Sequence, residues 1–467
     1  MTTLKLKVGN DIGNNKMKVI VNGELHTQPT AIKKTIEAPF SADVDPNVIL
    51  NSLDENLFVT ILSPSVAPGQ YYIGHSAVLK EAAENIVLGT SKAGQDITVV
   101  GTLGTIAGAL VKKYPDKDEI KASIDMAIAL PITQFEEKDA RLYESKFLAL
   151  TPIANGHLAH SEHIVTVHLG ARQVKVTITF EYVRCVQEGS AVCFALIYSA
   201  EADSNESGLI IPKYRKDELL SPLRAFIPYE DGAELSEEEL DSLQEILEIM
   251  YDIEIKRGEK NWIDEDGEIY ATFQNKKGKV ILESVTCSGK YFESRRVLHV
   301  DIGDGTTELP VTEGTSILRE YIDGIPQGVG QALERSIPYF NKETFITDNN
   351  RQFLADVLAD KRHKYHAKAV KATDEHFLSQ AKTIAGRVEA QLQKTRGLVD
   401  VVSIYGGGSI ALQKKLMPLI KKDVEKREIF LFYISKEFAV NMNAWGLWVF
   451  VNTPIFDTLK ATPLQKA

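Results

Sequence analysis

The sequence has 467 residues, of which 44% are hydrophobic and 25% are charged, a composition typical of globular proteins and not of disordered or collagen-like chains. At roughly 100 to 200 residues per domain, such a chain is expected to form about two to four domains. Acidic residues outnumber basic ones by 64 to 53, and the net charge of −11 argues against broad attraction to DNA or anionic membranes. Three cysteines without Cys-x-x-Cys spacing indicate reduced thiols in a reducing cytosol.

Residues 4–22 predict a β-hairpin. From Leu4 to Val8, apolar residues alternate with lysines at the period of two that a half-buried strand shows. A tight turn is expected at Gly13, and the alternation returns over residues 16–22. The hairpin therefore places polar residues at its tip.

The middle of the chain alternates between helical and strand patterns. In chain order, the sequence predicts a helix at 99–113, a buried strand at 123–130, a hairpin with strands at 164–167 and 174–179, a capped helix from Ser236, and a hairpin with strands at 269–273 and 280–285. Three glycines of the first helix, at positions 101, 104 and 108, are expected to allow close packing and not to bind a cofactor.

The pattern of the first hairpin returns at Arg296. A hydrophobic strand at 297–300 leads into Asp301 and a glycine turn, as the first strand leads into Asp11. The remaining predicted elements are a helix at 374–394, a strand at 399–405, a helix at 412–420 and an apolar helix at 435–450. The chain thus repeats one strand-turn-strand unit.

These two units carry the most informative residues, because each delivers Asp-Ile-Gly to a tight turn, at Asp11 and at Asp301. Glycine at such a turn leaves backbone N–H groups open to a phosphate, and the glycines concerned are Gly13, Gly303 and Gly305. One copy alone would be an ordinary hairpin, whereas two copies facing each other would hold a triphosphate from both sides. Each aspartate is a candidate ligand for Mg²⁺, directly or through water, and Lys18 adds a positive charge for the phosphates.

A third element is the strand 399–405 that runs into Gly406, Gly407, Gly408 and Ser409 and then into a helix. Glycines at a helix N-terminus let a ligand approach the backbone and the positive end of the helix dipole. Turns of this kind are frequent, so the element supports a nucleotide site only together with the two hairpins.

Three motifs resemble those of the actin superfamily and occur in its order. Residues 10–18 (Asn-Asp-Ile-Gly-Asn-Asn-Lys-Met-Lys) resemble the phosphate-1 loop, residues 301–307 the phosphate-2 loop, and residues 404–409 the adenosine motif. Segments 99–113 and 438–446 resemble the two connecting helices between the lobes. The resemblance spans nearly the whole chain and is strongest to bacterial plasmid-segregation actins of the ParM and Alp type.

This resemblance implies an α/β, actin-like (ribonuclease-H-like) two-lobed ATPase fold with a nucleotide cleft between the lobes. The expected domains are lobe I at 1–35, 95–200 and 435–467, with 36–94 as a small subdomain, and lobe II at 291–434. Residues 201–290 exceed the short connection usual in the family and are expected to be an insert. It would be either a small domain for filament packing or partner contact, or a surface elaboration.

The resemblance also implies site residues. The expected nucleotide-binding residues are Asp11, Gly13, Asn14, Asn15, Lys18, Gly303, Asp304, Gly305, Thr306, Thr307, Gly406, Gly407, Gly408 and Ser409. Asp11 and Asp301 are the expected Mg²⁺ ligands. Glu188 matches the glutamate that positions the attacking water in segregation actins, although Gln187 stands where those proteins usually have proline. The alternative is that Glu188 is an ordinary polar loop residue.

The function that the resemblance implies is hydrolysis of ATP with Mg²⁺, with GTP as the alternative nucleotide, coupled to polymerisation into filaments. Such filaments would segregate plasmid or phage DNA in the bacterial cytoplasm through an adaptor protein, without direct DNA or membrane binding. Two alternatives remain: a monomeric small-molecule kinase or other ATPase on the same fold, and a cell-shape or division actin. Membrane-tethered actins usually attach through a terminal amphipathic helix, and neither 1–8 nor 458–467 has that pattern.

Overall fold

The computed structural model of the chain describes residues 2–37, 44–80, 82–87, 90–152, 158–198, 261–263, 269–276, 279–285, 290–346, 349–434 and 436–462. The chain divides into two compact units. Unit 1 comprises Met1–Ala191 and Asn443–Ala467, and unit 2 comprises Val192–Met442. The helix predicted from Ser236 lies outside the described residues.

Unit 1 is built on a large mixed sheet. Its strands are β1 (Leu4–Ile12), β2 (Lys16–Val21), β3 (Glu24–Pro29), β4 (Ala31–Thr35), β5 (Phe58–Ser63), β6 (Val66–Ile73), β7 (Glu84–Asn85), β8 (Glu119–Leu130), β9 (Leu150–Pro152), β10 (Leu158–His160), β11 (His163–Leu169) and β12 (Arg172–Gln187). Ten of them form one sheet in the order β3-β2-β1-β8-β12-β11-β5-β6-β4-β7, and β9 pairs with β10. Because β1 and β12 both run parallel to β8, the ends of β1 and β12 lie at one edge of the sheet.

The described residues of unit 2 form two further sheets. Its strands are β13 (Asn261–Ile263), β14 (Ile269–Lys276), β15 (Lys279–Val285), β16 (Arg296–Ile302), β17 (Thr307–Glu308), β18 (Val311–Glu313), β19 (Ser316–Ile317), β20 (Gly324–Ile325), β21 (Val401–Tyr405) and β22 (Phe430–Tyr433). The strands β13 to β15 form an antiparallel sheet within the predicted insert, where the hairpin of β14 and β15 is as predicted. The other sheet places β16 parallel to β21, which is parallel to β22.

The helices, in chain order, are α1 (Pro46–Asn51), α2 (His75–Val78), α3 (Asp96–Lys113), α4 (Glu137–Leu148), α5 (Val192–Tyr198), α6 (Lys290–Glu293), α7 (Val329–Thr344), α8 (Arg351–Ala359), α9 (His366–Lys394), α10 (Gly407–Glu425), α11 (Lys436–Ala439), α12 (Met442–Val451) and α13 (Pro454–Ala461). Within the described residues, every helix falls short of the length and apolarity that a bilayer crossing requires. The predicted helix at 374–394 is the last part of α9, and the one at 412–420 is the middle of α10.

Each unit has its own hydrophobic core. In unit 1, residues 97–111 of α3 are all buried, and the core of the sheet packs around them. The glycines of α3 allow this packing as predicted, because a Cβ atom at Gly101 would collide with the sulfur of Met17 and one at Gly104 with Ile73. The core of unit 2 is a separate cluster formed by the strands β16, β21 and β22 and the helices packed on them.

The two units repeat one arrangement of strands. In unit 1, β1 lies between its antiparallel hairpin partner β2 and the parallel strand β8. In unit 2, β16 lies between the antiparallel strands β17 and β18 on one side and the parallel strand β21 on the other. The strand repeat predicted from Asp11 and Asp301 is therefore confirmed as a repeat of topology.

The predicted apolar helix at 435–450 is wrong as one continuous element. The chain forms α11 and α12 instead, separated by Val440 and Asn441. The carbonyl oxygen of Ala439 accepts a hydrogen bond from the backbone N–H of Gly406 at 2.9 Å, so it is not available to continue the helix. Downstream of the break, α12 packs on β1 at Gly9, where a Cβ atom would lie 2.7 Å from the carbonyl oxygen of Ala444.

Candidate functional site

Residues 11–18, named loop 1 here, form the tight turn between β1 and β2. The backbone N–H of Gly13 donates to the carbonyl oxygen of Lys16 at 2.9 Å and closes the turn. The hydroxyl of Thr30 donates to the Gly13 carbonyl at 2.6 Å, and the Thr30 N–H donates to the Asn15 carbonyl at 2.9 Å. The turn is therefore held at both of its ends by residues of unit 1.

Asp11 and Lys18 of loop 1 form an ion pair. They lie opposite each other in the register of β1 and β2, and Lys18 Nζ is 2.5 Å from Asp11 Oδ2. Both side chains are largely buried, with exposed fractions of 12% for Lys18 and 4% for Asp11. Two of the predicted site residues are therefore in direct contact.

Glu188 lies directly after β12, at the sheet edge where β1 also ends. Its backbone N–H donates to the carbonyl oxygen of Leu130 at 2.8 Å and extends the β8–β12 pairing by one residue. Gly189 follows with a φ of +80°, a conformation that favours glycine, and its N–H donates to Asn443 Oδ1 at 3.0 Å. The chain turns sharply here, and the Glu188 side chain is buried.

Lys92 is a site residue that sequence reasoning missed. It belongs to the 3-10 turn Lys92–Gly94 just before α3, and its Nζ forms an ion pair with Glu188 Oε1. The exposed fractions of the two side chains are only 5% and 10%. No motif marks this lysine, since nothing near it in the sequence distinguishes it from a surface lysine.

Four charged side chains of unit 1 thus influence one another. Burial raises the pKa of Glu188, and so does the carboxylate of Asp11. The ammonium groups of Lys92 and Lys18 lower it. Two carboxylates and two ammonium groups add to a net charge of zero. Since burying an unbalanced charge is costly, this balance explains how four ionisable groups lie in the interior of one unit.

Residues 301–307, named loop 2 here, form the corresponding turn of unit 2. The Gly303 N–H donates to the Thr306 carbonyl at 2.9 Å, the same bond that closes loop 1. The first two backbone amides of α7 donate hydrogen bonds to loop 2. Val329 N–H donates to the Gly303 carbonyl at 3.0 Å, and Gly330 N–H donates to the Asp304 carbonyl at 2.8 Å. Loop 2 is therefore held by hydrogen bonds from the N-terminus of α7.

Side chains complete the support of loop 2. Gln331 Nε2 donates to the Gly305 carbonyl at 3.0 Å, and the Thr307 hydroxyl donates to the Gln327 carbonyl at 2.8 Å. Asp304 pairs with Arg351 at the start of α8, at 3.2 Å. Sequence reasoning missed Arg351, and it also missed Gly330, where a Cβ atom would lie 2.6 Å from Asp304 Oδ1.

The glycine motif 406–409 packs against the strand that carries Asp301. Gly406 has a φ of +88°, and a Cβ atom there would lie 2.6 Å from Asp301 Oδ1. A Cβ atom at Gly408 would lie 2.9 Å from the Ile302 carbonyl oxygen, whereas one at Gly407 would meet nothing within 4 Å. The structure therefore brings the predicted residues of the phosphate-2 loop and of the adenosine motif together within unit 2.

Ser409 is fully buried, and its hydroxyl donates to the carbonyl of Gly406 at 2.8 Å. Its own carbonyl accepts from the hydroxyl of Tyr433 at 2.6 Å. Ser409 thus stabilises the first turn of α10 through these two hydrogen bonds.

Each unit carries one of the two carboxylates that are expected to hold Mg²⁺. In the part of the chain that the structure describes, no group of three or more His, Cys, Asp or Glu side chains could hold a metal ion alone. Mg²⁺ usually binds one or two carboxylates together with substrate phosphates and water. Asp11 and Asp301, each at a strand end beside a glycine turn, have that character.

The comparisons with known proteins concern the fold. A family model for the C-terminal domain of MreB-like archaeal actin homologues matches residues 299–418. The crystal structure of the actin-like protein Alp7A has a TM-score of 0.58 at 14% identity and covers 98% of both chains. No curated protein matches the sequence.

Two ParM structures are also similar. ParM of Bacillus thuringiensis with ATP has a TM-score of 0.50 at 14% identity and covers 98% of this chain and 100% of its own. A non-polymerisable quadruple mutant of pCBH ParM has a TM-score of 0.54 at 14% identity and covers 96% and 98%. The chain therefore has the actin-like α/β fold, built from two units, which confirms its resemblance to the actin superfamily and, within it, to proteins of the ParM and Alp type.

Proposed function

We propose that this chain binds and hydrolyses ATP and polymerises into filaments when ATP is bound. The fold supports nucleotide binding, since one similar structure is described as a ParM with ATP. Another is described as a non-polymerisable mutant of a ParM, which supports self-association as the property to test. GTP is the alternative nucleotide.

The observation that carries the proposal is the position of Glu188 in unit 1. It is buried, lies at the same sheet edge as loop 1, and responds to the charges of Asp11 and Lys18. A carboxylate beside the phosphates can accept a proton from a water that attacks in line. Glu188 is therefore the proposed catalytic base.

The other predicted residues bind and orient the nucleotide. The backbone amides of loop 1 and loop 2 donate to phosphate oxygens, and Lys18 supplies a positive charge. The glycine motif 406–409 approaches the adenosine at the N-terminus of α10. Asp11 and Asp301 would hold Mg²⁺, directly or through water, and the ion would supply positive charge that offsets the charge of the phosphates.

The proposed biological role is segregation of plasmid or phage DNA in the bacterial cytoplasm. The net charge of −11 favours an adaptor protein over direct contact with DNA or with a membrane. The insert 201–290, which contains the sheet of β13 to β15, is proposed to contact filament neighbours or that partner. The proposed lobes keep the boundaries given by the sequence motifs.

Sedimentation with phosphate release tests this function. We expect the protein to pellet with ATP and Mg²⁺ and to remain in the supernatant with ADP or without nucleotide. Glu188→Gln should slow phosphate release roughly 100-fold or more, because a general base contributes about 10² to 10⁴, while pelleting with ATP persists.

The matched control is Glu181→Gln, which changes an exposed carboxylate on the same strand β12 and should leave the rate unchanged. Unchanged hydrolysis in Glu188→Gln would remove Glu188 from the mechanism. A protein that stays in the supernatant with every nucleotide, and that phosphorylates a small molecule, would be a kinase on the same fold.

A further inference from the structure

Lys92 is buried to an extent that is unusual for a lysine. Its side chain is 5% exposed, and its Nζ contacts Glu188 Oε1. Lysine is almost never fully buried unless it is paired, because its ammonium group is strongly hydrated and its four-carbon chain loses rotamer freedom. The fold therefore holds Lys92 in place against a considerable cost.

The backbone around Lys92 is fixed by two glutamines. The Lys92 N–H donates to Gln134 Oε1 at 3.0 Å, which ties the turn to the segment after β8. On the other side, Gln95 Oε1 accepts from the Val87 N–H at 3.0 Å, and its Nε2 donates to the Thr90 hydroxyl at 2.9 Å. These hydrogen bonds therefore fix the backbone position from which the Lys92 side chain extends.

The partner of Lys92 needs a cation. Glu188 is buried and lies within electrostatic range of the Asp11 carboxylate, and both conditions favour the protonated form of Glu188. A protonated carboxyl cannot take a proton from water. An ammonium group in contact with Oε1 counteracts both effects in part, although the pKa of Glu188 is still raised overall, and it also fixes the rotamer of the side chain.

We propose that Lys92 is a positioning residue that keeps the Glu188 carboxylate charged and oriented to accept a proton from the attacking water. The proposal rests on the proposed function of Glu188 as base. Lys92 acts through Glu188 and is not itself assigned a contact with the nucleotide.

Other groups near Glu188 do not replace this cation. Lys18 lies in range but is engaged with Asp11 at 2.5 Å. Tyr143 on α4 and Cys185 on β12 interact with Glu188 electrostatically, and burial raises the pKa of both, so they are neutral at pH 7. Lys92 is the cation that contacts Glu188 directly.

The first test is the pH dependence of hydrolysis by the full chain. In Lys92→Met the rate at pH 7 should fall roughly tenfold or more, and it should recover as the pH rises, because Glu188 now needs a higher pH to ionise. Lys92→Arg keeps the charge and should restore most of the rate. Lys138→Met, which removes an exposed lysine, is the control and should not shift the profile.

The second test uses the protein without nucleotide. In Lys92→Met, the pKa of folded Glu188 should rise further above that of the unfolded chain than it does in the wild type. The melting temperature should then fall over a wider range of rising pH than in the wild type, starting from the ordinary glutamate value. Adding Glu188→Gln to Lys92→Met should abolish that fall, since the titrating group is gone.

The outcomes separate the two proposals. Unchanged hydrolysis in Glu188→Gln contradicts the function proposed for Glu188, whatever Lys92 does. Slow hydrolysis in Glu188→Gln together with an unshifted profile in Lys92→Met overturns the inference about Lys92 alone. A loss in Lys92→Met that is equal at every pH, with melting that depends on pH as it does in the wild type, would also overturn it, because a purely structural ion pair gives that result.

Discussion

Loop 1 and loop 2 share one backbone geometry but balance their charges differently. Each turn is closed by a glycine N–H that donates to the carbonyl three residues on, at 2.9 Å in both. Opposite Asp11, the hairpin of loop 1 places Lys18, whereas opposite Asp301 the hairpin of loop 2 places Glu308. The second turn therefore has the same backbone geometry but a glutamate at the position where the first has the lysine.

Loop 2 obtains its cation from another element. Arg351 at the start of α8 pairs with Asp304, and it also pairs with Glu334 of α7 at 3.2 Å. Loop 1 is therefore balanced within a single hairpin, while loop 2 depends on helices that follow it in the chain. A turn of the same backbone geometry thus occurs twice in the fold, and different elements balance its charges in each unit.

The largest effect is expected from adding a Cβ atom where the glycine motif 406–409 packs against the backbone of residues 302 and 303. Gly408→Ala places a Cβ atom 2.9 Å from the Ile302 carbonyl and 3.0 Å from that of Gly303, and backbone atoms cannot move aside as a side chain can. We expect a loss of about 1 to 3 kcal/mol in unfolding free energy, measured by denaturant titration. Gly407→Ala meets open space and should change little. Equal stability of the two variants would contradict the packing of the glycine motif on β16.

A smaller and more local effect is expected from removing each cation. Arg351→Met should cost about 1 kcal/mol and increase hydrogen exchange in α8, because the link from Asp304 to that helix is lost. Lys18→Met should leave the exchange of α8 unchanged, since its partner Asp11 belongs to the same hairpin. Exchange mass spectrometry measures both. Equal protection of α8 from hydrogen exchange in the wild type and in Arg351→Met would contradict the proposal that loop 2 depends on a cation from α8.

The third effect is the smallest at neutral pH, because it develops only as the pH falls. Burial lowers the pKa of His299 in β16 to about 3, and its Nε2 lies 3.0 Å from the Thr312 hydroxyl. Below about pH 6.5 the unfolded chain binds a proton at this histidine while the folded chain does not, so stability falls as the pH drops from 6.5 towards 3. His299→Gln should flatten that slope in melting temperature. An unchanged slope would show that other groups control the acid sensitivity.

Local patterns explain what the sequence could predict. The alternation in residues 4–22 and the glycine turns at Asp11 and Asp301 are properties of consecutive residues, and they led correctly to both hairpins. The repeat of these patterns, with the glycine motif after β21, was enough to indicate the fold. Some helix starts were placed a few residues late, as for α3, which begins at Asp96, whereas the strand predicted from residue 399 begins at Val401.

Contacts between distant residues explain what the sequence could not predict. Lys92 meets Glu188 and Arg351 meets Asp304 only because the fold brings them together, and neither cation carries a local signal. The break after α11 has the same origin, since the partner of the Ala439 carbonyl is Gly406. Two of the cations that balance charge, Lys92 and Arg351, were thus hidden from sequence reasoning, whereas Lys18 was predicted from its own motif.

The hydrogen bond between Gly406 and Ala439 has a mechanical consequence. It ties the first glycine of the motif to a segment that lies just before the chain passes from unit 2 to unit 1, at Met442 and Asn443. The backbone of the glycine motif is therefore linked by one hydrogen bond to the segment that leads directly into the covalent junction, with no side chain in between.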